Sequence, residues 1–196
     1  MTRTGRCVRE THETRVEVAL TLEGTGRAEV SSGIGFLDHM LGAIARHARF
    51  DLTLTCKGDL VVDDHHSAED SALALGAALD DALGDRRGIA RFAHAYAPLD
   101  EALARVVVDL SGRPHAEVDL ALTRDRIGEL ACENITHFFR SLAIASRACI
   151  HADVIRGAND HHKAEAACKA LALALRGAVA MDPGSTDIPS TKGTLS

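Results

Sequence analysis

From Arg15 to Leu22 the chain reads Arg-Val-Glu-Val-Ala-Leu-Thr-Leu, a polar/apolar alternation with the period of two expected of a strand that buries one face. Glu23-Gly24-Thr25-Gly26 interrupts the alternation and Arg27 to Ser31 resumes it, so these two runs are expected to pair as a hairpin. An earlier strand is expected around Gly5 to Thr11. After Ser31-Ser32-Gly33-Ile34-Gly35 the period changes. Phe36, Leu37, Met40, Leu41 and Ile44 recur at helical spacing and predict a helix over 36–48. Asp51 to Lys57 alternates again, and a second helix is expected over 67–83, stopped by Gly84.

The second half repeats this order. Strands are expected over 91–97, 102–110 and 115–122, with Ser111-Gly112-Arg113-Pro114 as a turn, then a helix over 130–145, a strand over 149–155 and a helix over 164–178. The chain therefore reads as βββαβα written twice. Residues 1–90 form the first α+β repeat and 91–181 the second. The Pro/Gly/Ser-rich segment 182–196 is expected to be a flexible tail that can order on substrate. A period this long is not that of a solenoid. It predicts an α+β fold in which two duplicated units pack together with their helices sandwiched between two sheets.

Composition narrows the class. Hydrophobic residues make up 46% of the 196 and charged residues 26%, the balance of a soluble globular chain. Aromatics are only 3% and Trp is absent, so packing must rest on Ala, Leu, Val and Ile. A net charge of −6 argues against a general nucleic-acid binder. No run approaches the roughly 18 apolar residues of a membrane span. The five cysteines, Cys7, Cys56, Cys132, Cys149 and Cys168, are scattered with no C-x-x-C pair, the usage of a reducing compartment, and a cytoplasmic location is expected.

The 11 histidines are not scattered in the same way. Asp64-His65-His66-x-x-Glu69 recurs as Asp160-His161-His162-x-x-Glu165, each at the start of the last helix of its repeat, and each has a His upstream, His39 and His137, in the preceding helix. On a helix, residues three or four apart share a face whereas adjacent ones diverge by about 100°. The Glu can thus join one His, while the two neighbouring imidazoles are placed to reach two different ions. Six imidazoles and two carboxylates amount to about four protein ligands for each of two metals, with positions left open for chemistry. The set has no sulfur and suits Mn, Fe or Zn rather than Cu(I) or Ca. The plain alternative is a pair of solvated, His-rich helix starts capped by Asp64 and Asp160. Duplication at equivalent places weighs against it.

At these residues the chain resembles the imidazoleglycerol-phosphate dehydratase family. The resemblance is carried by Gly33-Ile-Gly-Phe-Leu-Asp-His-Met-Leu41, Asp63-Asp-His-His-Ser-Ala-Glu-Asp70, Pro98-Leu-Asp-Glu-Ala-Leu103, Asp109-Leu-Ser-Gly-Arg-Pro114, His137-Phe-Phe139, Asn159-Asp-His-His-Lys-Ala-Glu165 and Pro189-Ser-Thr-Lys-Gly-Thr-Leu195, which together span nearly the whole chain. It implies a ribosomal protein S5 domain 2-like fold, with a four-helix layer between two four-stranded mixed sheets. It also implies a metal-dependent hydro-lyase of L-histidine biosynthesis, converting D-erythro-1-(imidazol-4-yl)glycerol 3-phosphate to 3-(imidazol-4-yl)-2-oxopropyl phosphate and water. Two Mn²⁺ per active site are implied, with Fe or Zn compatible with the donors, and a homo-oligomer of 24 subunits built from trimers, with active sites at subunit interfaces.

Carried over by matching motif, the metal ligands are His39, His65, His66, Glu69, His137, His161, His162 and Glu165. Of these His39, His65, Glu69 and His161 also face the substrate, together with Glu13, His47 and Lys169. Arg91, Arg113, Ser190, Thr191 and Lys192 surround the phosphate, which Arg forks and fixed donors suit. Glu13, in Glu10-Thr-His-Glu-Thr14, is the candidate base, and His47 a second candidate for proton handling; the plain readings are a solvated strand residue and a helix C-terminal His.

The proton to be removed has no neighbouring carbonyl, so base-first elimination is slow. Held as an imidazolate between two metals, the ring can instead expel hydroxide and pass through a diazafulvene-like intermediate. Other classes remain: a dinuclear metallohydrolase, which gives no reason for an imidazole-shaped site; a ferritin-like bundle, which the strands contradict; and an assembly protein in which metals only join subunits.

Overall fold

The computed structural model describes residues 2–195; Met1 and Ser196, expected as the outer ends of the first repeat and of the tail, lie outside it. The elements of the first repeat are β1 (Thr4–Glu10), β2 (Thr14–Thr21), β3 (Ala28–Ser31), α1 (Gly35–Ala48), β4 (Asp51–Gly58) and α2 (His65–Leu83). The second repeat has β5 (Phe92–Leu99), β6 (Ala102–Asp109), β7 (His115–Asp119), a small hairpin of β8 (Arg126–Ile127) and β9 (Leu130–Ala131), α3 (Cys132–Ala145), β10 (Cys149–Arg156) and α4 (Asp160–Val179). The sheets run β1-β2-β4-β3 and β5-β6-β10-β7, so the two halves share one topology, and each sheet mixes antiparallel and parallel pairs. The α+β sandwich expected from the sequence is the fold observed.

The expected hairpin between 15–22 and 27–31 does not form. Strand β2 pairs antiparallel with β4, and β3 pairs parallel with the other edge of β4, Ala28 to Ser31 lying opposite Leu52 to Thr55. Alternation specifies a buried face but not a partner. The loop after β2 is instead caught by Asp51 at the start of β4, whose Oδ1 accepts from the Thr25 and Arg27 amides at 2.8 and 3.0 Å. The chain then crosses over through α1, as a parallel pair requires.

Three helix starts also differ from the periodicity. The segment 130–131 belongs to β9, so α3 begins at Cys132, while α2 and α4 begin at His65 and Asp160, ahead of the expected 67 and 164. Both His pairs therefore lie in the first helical turn.

The core is made of the inner faces of both sheets and the helices between them. On β2, Val16, Val18 and Leu20 are buried; on β6, Ala104, Val106 and Val108; on α4, almost every Ala and Leu from Ala164 to Ala178. The helices exchange partners across the duplication, α1 packing on α4 and α2 on α3. Small residues permit this. A Cβ at Gly76 of α2 would lie 2.7 Å from the Ala145 Cβ and 2.9 Å from the Leu142 carbonyl oxygen and the Ser146 nitrogen of α3.

Residues 182–190 hydrogen-bond to the body. The Gly88 amide donates to the Asp187 carbonyl at 3.0 Å, the Asp182 amide to the Gly88 carbonyl at 2.7 Å, and the Arg91 Nη1 to the Pro189 carbonyl at 2.7 Å.

The helical glycines make a paired prediction. Gly42→Ala in α1, where a Cβ meets nothing within 4 Å, should raise Tm, because Ala is favoured over Gly in a helix by about 1 kcal/mol. Gly76→Ala should lower Tm, because the backbone of α3 must move and overpacking costs roughly 1–3 kcal/mol. Calorimetric scans in which Gly76→Ala matched Gly42→Ala would refute the close-crossing argument.

Candidate metal centres

The exchange of helix partners decides which histidines meet. His39 on α1 faces His161 and Glu165 on α4, with His39 Nε2 at 2.9 Å and His161 Nε2 at 3.2 Å from the same Glu165 Oε2. In the other pair, His137 on α3 faces His65 and Glu69 on α2: His137 Nε2 lies 3.0 Å from Glu69 Oε1, and the His65 and His137 rings stack at 4.9 Å between centroids. Each triad thus takes one His from one repeat and a His-x-x-x-Glu turn from the other. In each, the three donor atoms lie within 4.8 Å of one another. Two imidazole nitrogens and a carboxylate oxygen converging this closely, without sulfur, fit a divalent first-row ion such as Mn, Fe or Zn.

The second His of each pair belongs to neither triad. The ring planes of His65 and His66 meet at 79° and those of His161 and His162 at 88°, as adjacency on a helix requires. His66 turns its Nδ1 to the Asp59 carboxylate at 3.1 and 3.2 Å, and Glu13 approaches its Nε2 at 3.6 Å. Glu13, Asp59 and His66 form a third convergent group. His162 turns its Nδ1 to Glu101 at 2.7 Å. Asp59 and Glu101 raise the pKa of His66 and His162 respectively. The Glu101 carboxyl is itself lowered to about 2, first by the Asn159 amide and then by His162. A carboxylate on Nδ1 fixes the tautomer that leaves the Nε2 lone pair outward, the usual support of a metal-binding imidazole.

His65 is oriented through a longer chain. Buried Asp64 accepts from the Ala131 amide at 2.6 Å and from Asn134 Nδ2 at 3.0 Å, which leaves Asn134 Oδ1 to face His65 Nδ1 at 2.9 Å. Burial pushes the Asp64 carboxyl upward, but these donors prevail and hold it low. Neither Asp64 nor Asp160 caps its helix through its side chain, as the plain alternative required. Asp64 makes no capping bond to its own helix. Asn159 caps α4, accepting from the His161 amide. Asp160 lies inside that helix, almost fully buried, and accepts from the Thr123 and Arg124 amides and from Lys163 Nζ. Those donors hold its carboxyl well below the usual range against the opposing effect of burial. Both aspartates tie the loops of the second repeat to the helix starts that carry the histidines.

The remaining expected residues fall in three places. Lys169 pairs with Glu165 Oε1 at 2.7 Å, and His47 lies beside both; burial first, then the Lys169 charge, lowers its pKa. Burial alone would raise the Glu165 carboxyl, yet Lys169 and His39 bring it down to about 2. Glu13 is half exposed in the β1–β2 turn, not on a strand. The phosphate candidates lie elsewhere. Arg91 is engaged by Asp109 at 2.7 and 3.1 Å and by the Pro189 carbonyl, so it anchors the tail. Arg113, Thr191 and Lys192 are exposed and Ser190 is half buried. Among the described residues, no hydrogen bond or ion pair links these five to either triad.

Asp59, Asn134 and Glu101 were not among the residues singled out from the sequence as functional. Glu101 sits in the Pro98–Leu103 stretch, but a carboxylate 61 residues before His162 gives no local signal.

A duplicated α+β sandwich with a His/Glu triad at each of two inner helix pairs defines a protein with paired candidate metal centres. The sequence model of imidazoleglycerol-phosphate dehydratase matches residues 32–175, and the chain belongs to that family. It is 60% identical over 187 residues to the enzyme of that name from Phytophthora nicotianae, covering 95% of this chain but 41% of that longer protein. It is 55% identical to the one from Methanothermobacter thermautotrophicus, covering 95% of both. The imidazoleglycerol-phosphate dehydratase structure from Pyrococcus furiosus superposes with a TM-score of 0.84 at 36% identity over 96% of this chain and all of that one, and that from Staphylococcus aureus with 0.82 at 33% over 91% and 99%.

Glu101→Gln should keep the fold but weaken metal binding by about 10–100-fold, the usual cost of removing a carboxylate behind a ligating imidazole. Titration with Mn²⁺ under a competing chelator reads this directly, and an unchanged affinity would show that His162 is not a ligand.

Proposed function

We propose that this chain is an imidazoleglycerol-phosphate dehydratase of L-histidine biosynthesis, removing water from D-erythro-1-(imidazol-4-yl)glycerol 3-phosphate to give 3-(imidazol-4-yl)-2-oxopropyl phosphate. The observation that carries the reading is the pair of His/Glu triads, each assembled across the duplication, in a chain of this family. Two Mn²⁺ ions suit the donors. They are assigned to His39, His161 and Glu165 and to His65, Glu69 and His137, with His66 and His162 completing the coordination. Because His66 and His162 belong to neither triad of their own chain, we assign a neighbouring copy as the recipient of each. We assign the protein to a homo-oligomer built from trimers, with active sites between subunits, and the two histidines left outside the triads support that reading. Among the described residues no helix is long and apolar enough to cross a membrane. A cytoplasmic location is consistent with the five free cysteines.

When bound, the metals act as Lewis acids on the substrate's imidazole and orient it. If the ring were so held and had lost its N–H proton, its electron density would expel hydroxide from the attached carbon and make the C–H on the next carbon acidic. Glu13 is the residue we assign to take that proton. It is half exposed, lies 3.6 Å from His66 Nε2, and adjoins one of the outer ligands. The enol so formed tautomerises to the ketone. His47, kept toward its neutral form by burial and by Lys169, is assigned to accept a proton near Glu165. Arg113, Ser190, Thr191, Lys192 and Lys169 are assigned to the phosphate. Arg91 acts on it indirectly, by holding the Pro189 carbonyl and so the root of the segment that bears Ser190 to Lys192.

Incubating Mn²⁺-loaded protein with the substrate should form the ketone, and EDTA should abolish turnover; a fully metallated, intact assembly without turnover would sink the assignment. Glu13→Gln should lower kcat by about 10²–10⁴-fold with KM little changed, as loss of a general base does. A kcat within a few-fold of wild type would move the base elsewhere.

A further inference from the structure

Beyond Lys169, the seam between α1 and α4 opens into a cleft of about 480 Å³ lined by Arg46, Arg49 and Arg176, with His47, Thr25 and Leu173 among its other walls. We infer that this cleft is a second oxyanion site, built for a phosphate or phosphate monoester and sharing only its His47 wall with the residues assigned to the substrate. The inference does not rest on the reaction proposed above.

Charge balance carries the argument. In a chain of net charge −6, many arginines are paired with a carboxylate, among them Arg3, Arg9, Arg15, Arg86, Arg91 and Arg105. Arg46, Arg49 and Arg176 make no such pair among the described residues, and no acidic side chain lines the cleft. The nearest carboxylate behind the Thr25 wall, Asp51, spends its Oδ1 on the Thr25 amide, the Thr25 hydroxyl and the Arg27 amide. Glu23 is held by Arg3. Three guanidinium groups left to water around one concavity form the geometry that binds phosphate through several charge-assisted bonds.

Backbone conformation points the same way. Arg49 ends α1 at φ 60° and ψ 29°, the left-handed cap where glycine is ordinary, so a long cationic side chain is carried where the backbone disfavours it. The cleft is also distinct from the candidate metal centre. Leu173 and Arg176 follow Glu165 by eight and eleven residues on α4, about 12 and 16 Å along the axis at 1.5 Å per residue. Lys169, between them, is turned to Glu165.

The test is equilibrium binding of inorganic phosphate to the metal-loaded assembly, counted per chain, in wild type and in the double variant Arg46→Gln/Arg176→Gln. Wild type should bind one more phosphate per chain than the variant. If kcat and KM stay unchanged in the variant, the site serves a separate phosphorylated ligand. If the lost phosphate comes with a lower kcat/KM that added salt reproduces in wild type, the site gathers the substrate's own phosphate. Equal stoichiometry in the two proteins would overturn the inference. So would a change in assembly size on light scattering with stoichiometry unaltered, which would make the cleft a contact between copies.

Discussion

The structure depends on one packing constraint: neither repeat can cover its own helices. Strands β2 and β6 present apolar rows that α2 and α4 bury, but α1 and α3 must then find cover elsewhere, and each finds it on the last helix of the other repeat. Few aromatics are available to fill a loose interface. The seams therefore close through small residues, Gly76 against Ala145 on one side and the alanines of α4 on the other. Because the partners run side by side from their N-terminal turns, the His and Glu of those turns meet as partly exposed triads. The candidate chemistry is a consequence of the interdigitation.

A seam can bring ligands together without orienting them, and here orientation comes from buried carboxylates. Asp160 receives the Thr123 and Arg124 amides and Asp64 the Ala131 amide of β9, so the helix starts of α2 and α4 are tied to segments of the second repeat. Asp160 carries Lys163 as a buried counterion, and Asp64 sets Asn134 against His65. Breaking such a buried pair on one side costs about 3–5 kcal/mol, which is why these acids stabilise one arrangement rather than serving as exposed caps. Asp59 and Glu101 do the same for the outward histidines from the opposite direction, each through Nδ1.

Much of this was legible in the sequence where periodicity and burial coincide. Strands β2, β4 and β6 bury alternate residues, and α1 follows the spacing of Phe36, Leu37, Met40, Leu41 and Ile44 closely. What failed was partner choice. Alternation in 15–22 and 27–31 says that both segments bury a face, but only Asp51 capturing the intervening loop, and α1 carrying the chain across, decide that β4 lies between them. The helix starts were misplaced because their first turns are polar, with His65, His66 and Asp160 to His162 lacking the apolar rhythm used to find them. The roles of Arg91 and Glu101 rest on contacts between distant segments, and Asp59 reaches His66 across the irregular turn between β4 and α2; no periodic pattern encodes those.

The doubled His-His-x-x-Glu can then be read position by position. Adjacency turns the two imidazoles of a pair to different neighbours, so a single motif does not form a triad by itself; it contributes a His and a Glu to one triad and leaves its second His outside it. Duplication supplies the complementary set and leaves His66 and His162 outside both triads of their own chain. The two copies have nevertheless diverged where equivalence is not needed. Four residues after the motif's Glu stands Leu73 in the first copy and Lys169 in the second, so only the triad of His39, His161 and Glu165 has a cation paired to its carboxylate and His47 alongside. The motif is thus kept in both copies while the charge beside it is not, so the two triads offer similar donors in unequal electrostatic surroundings.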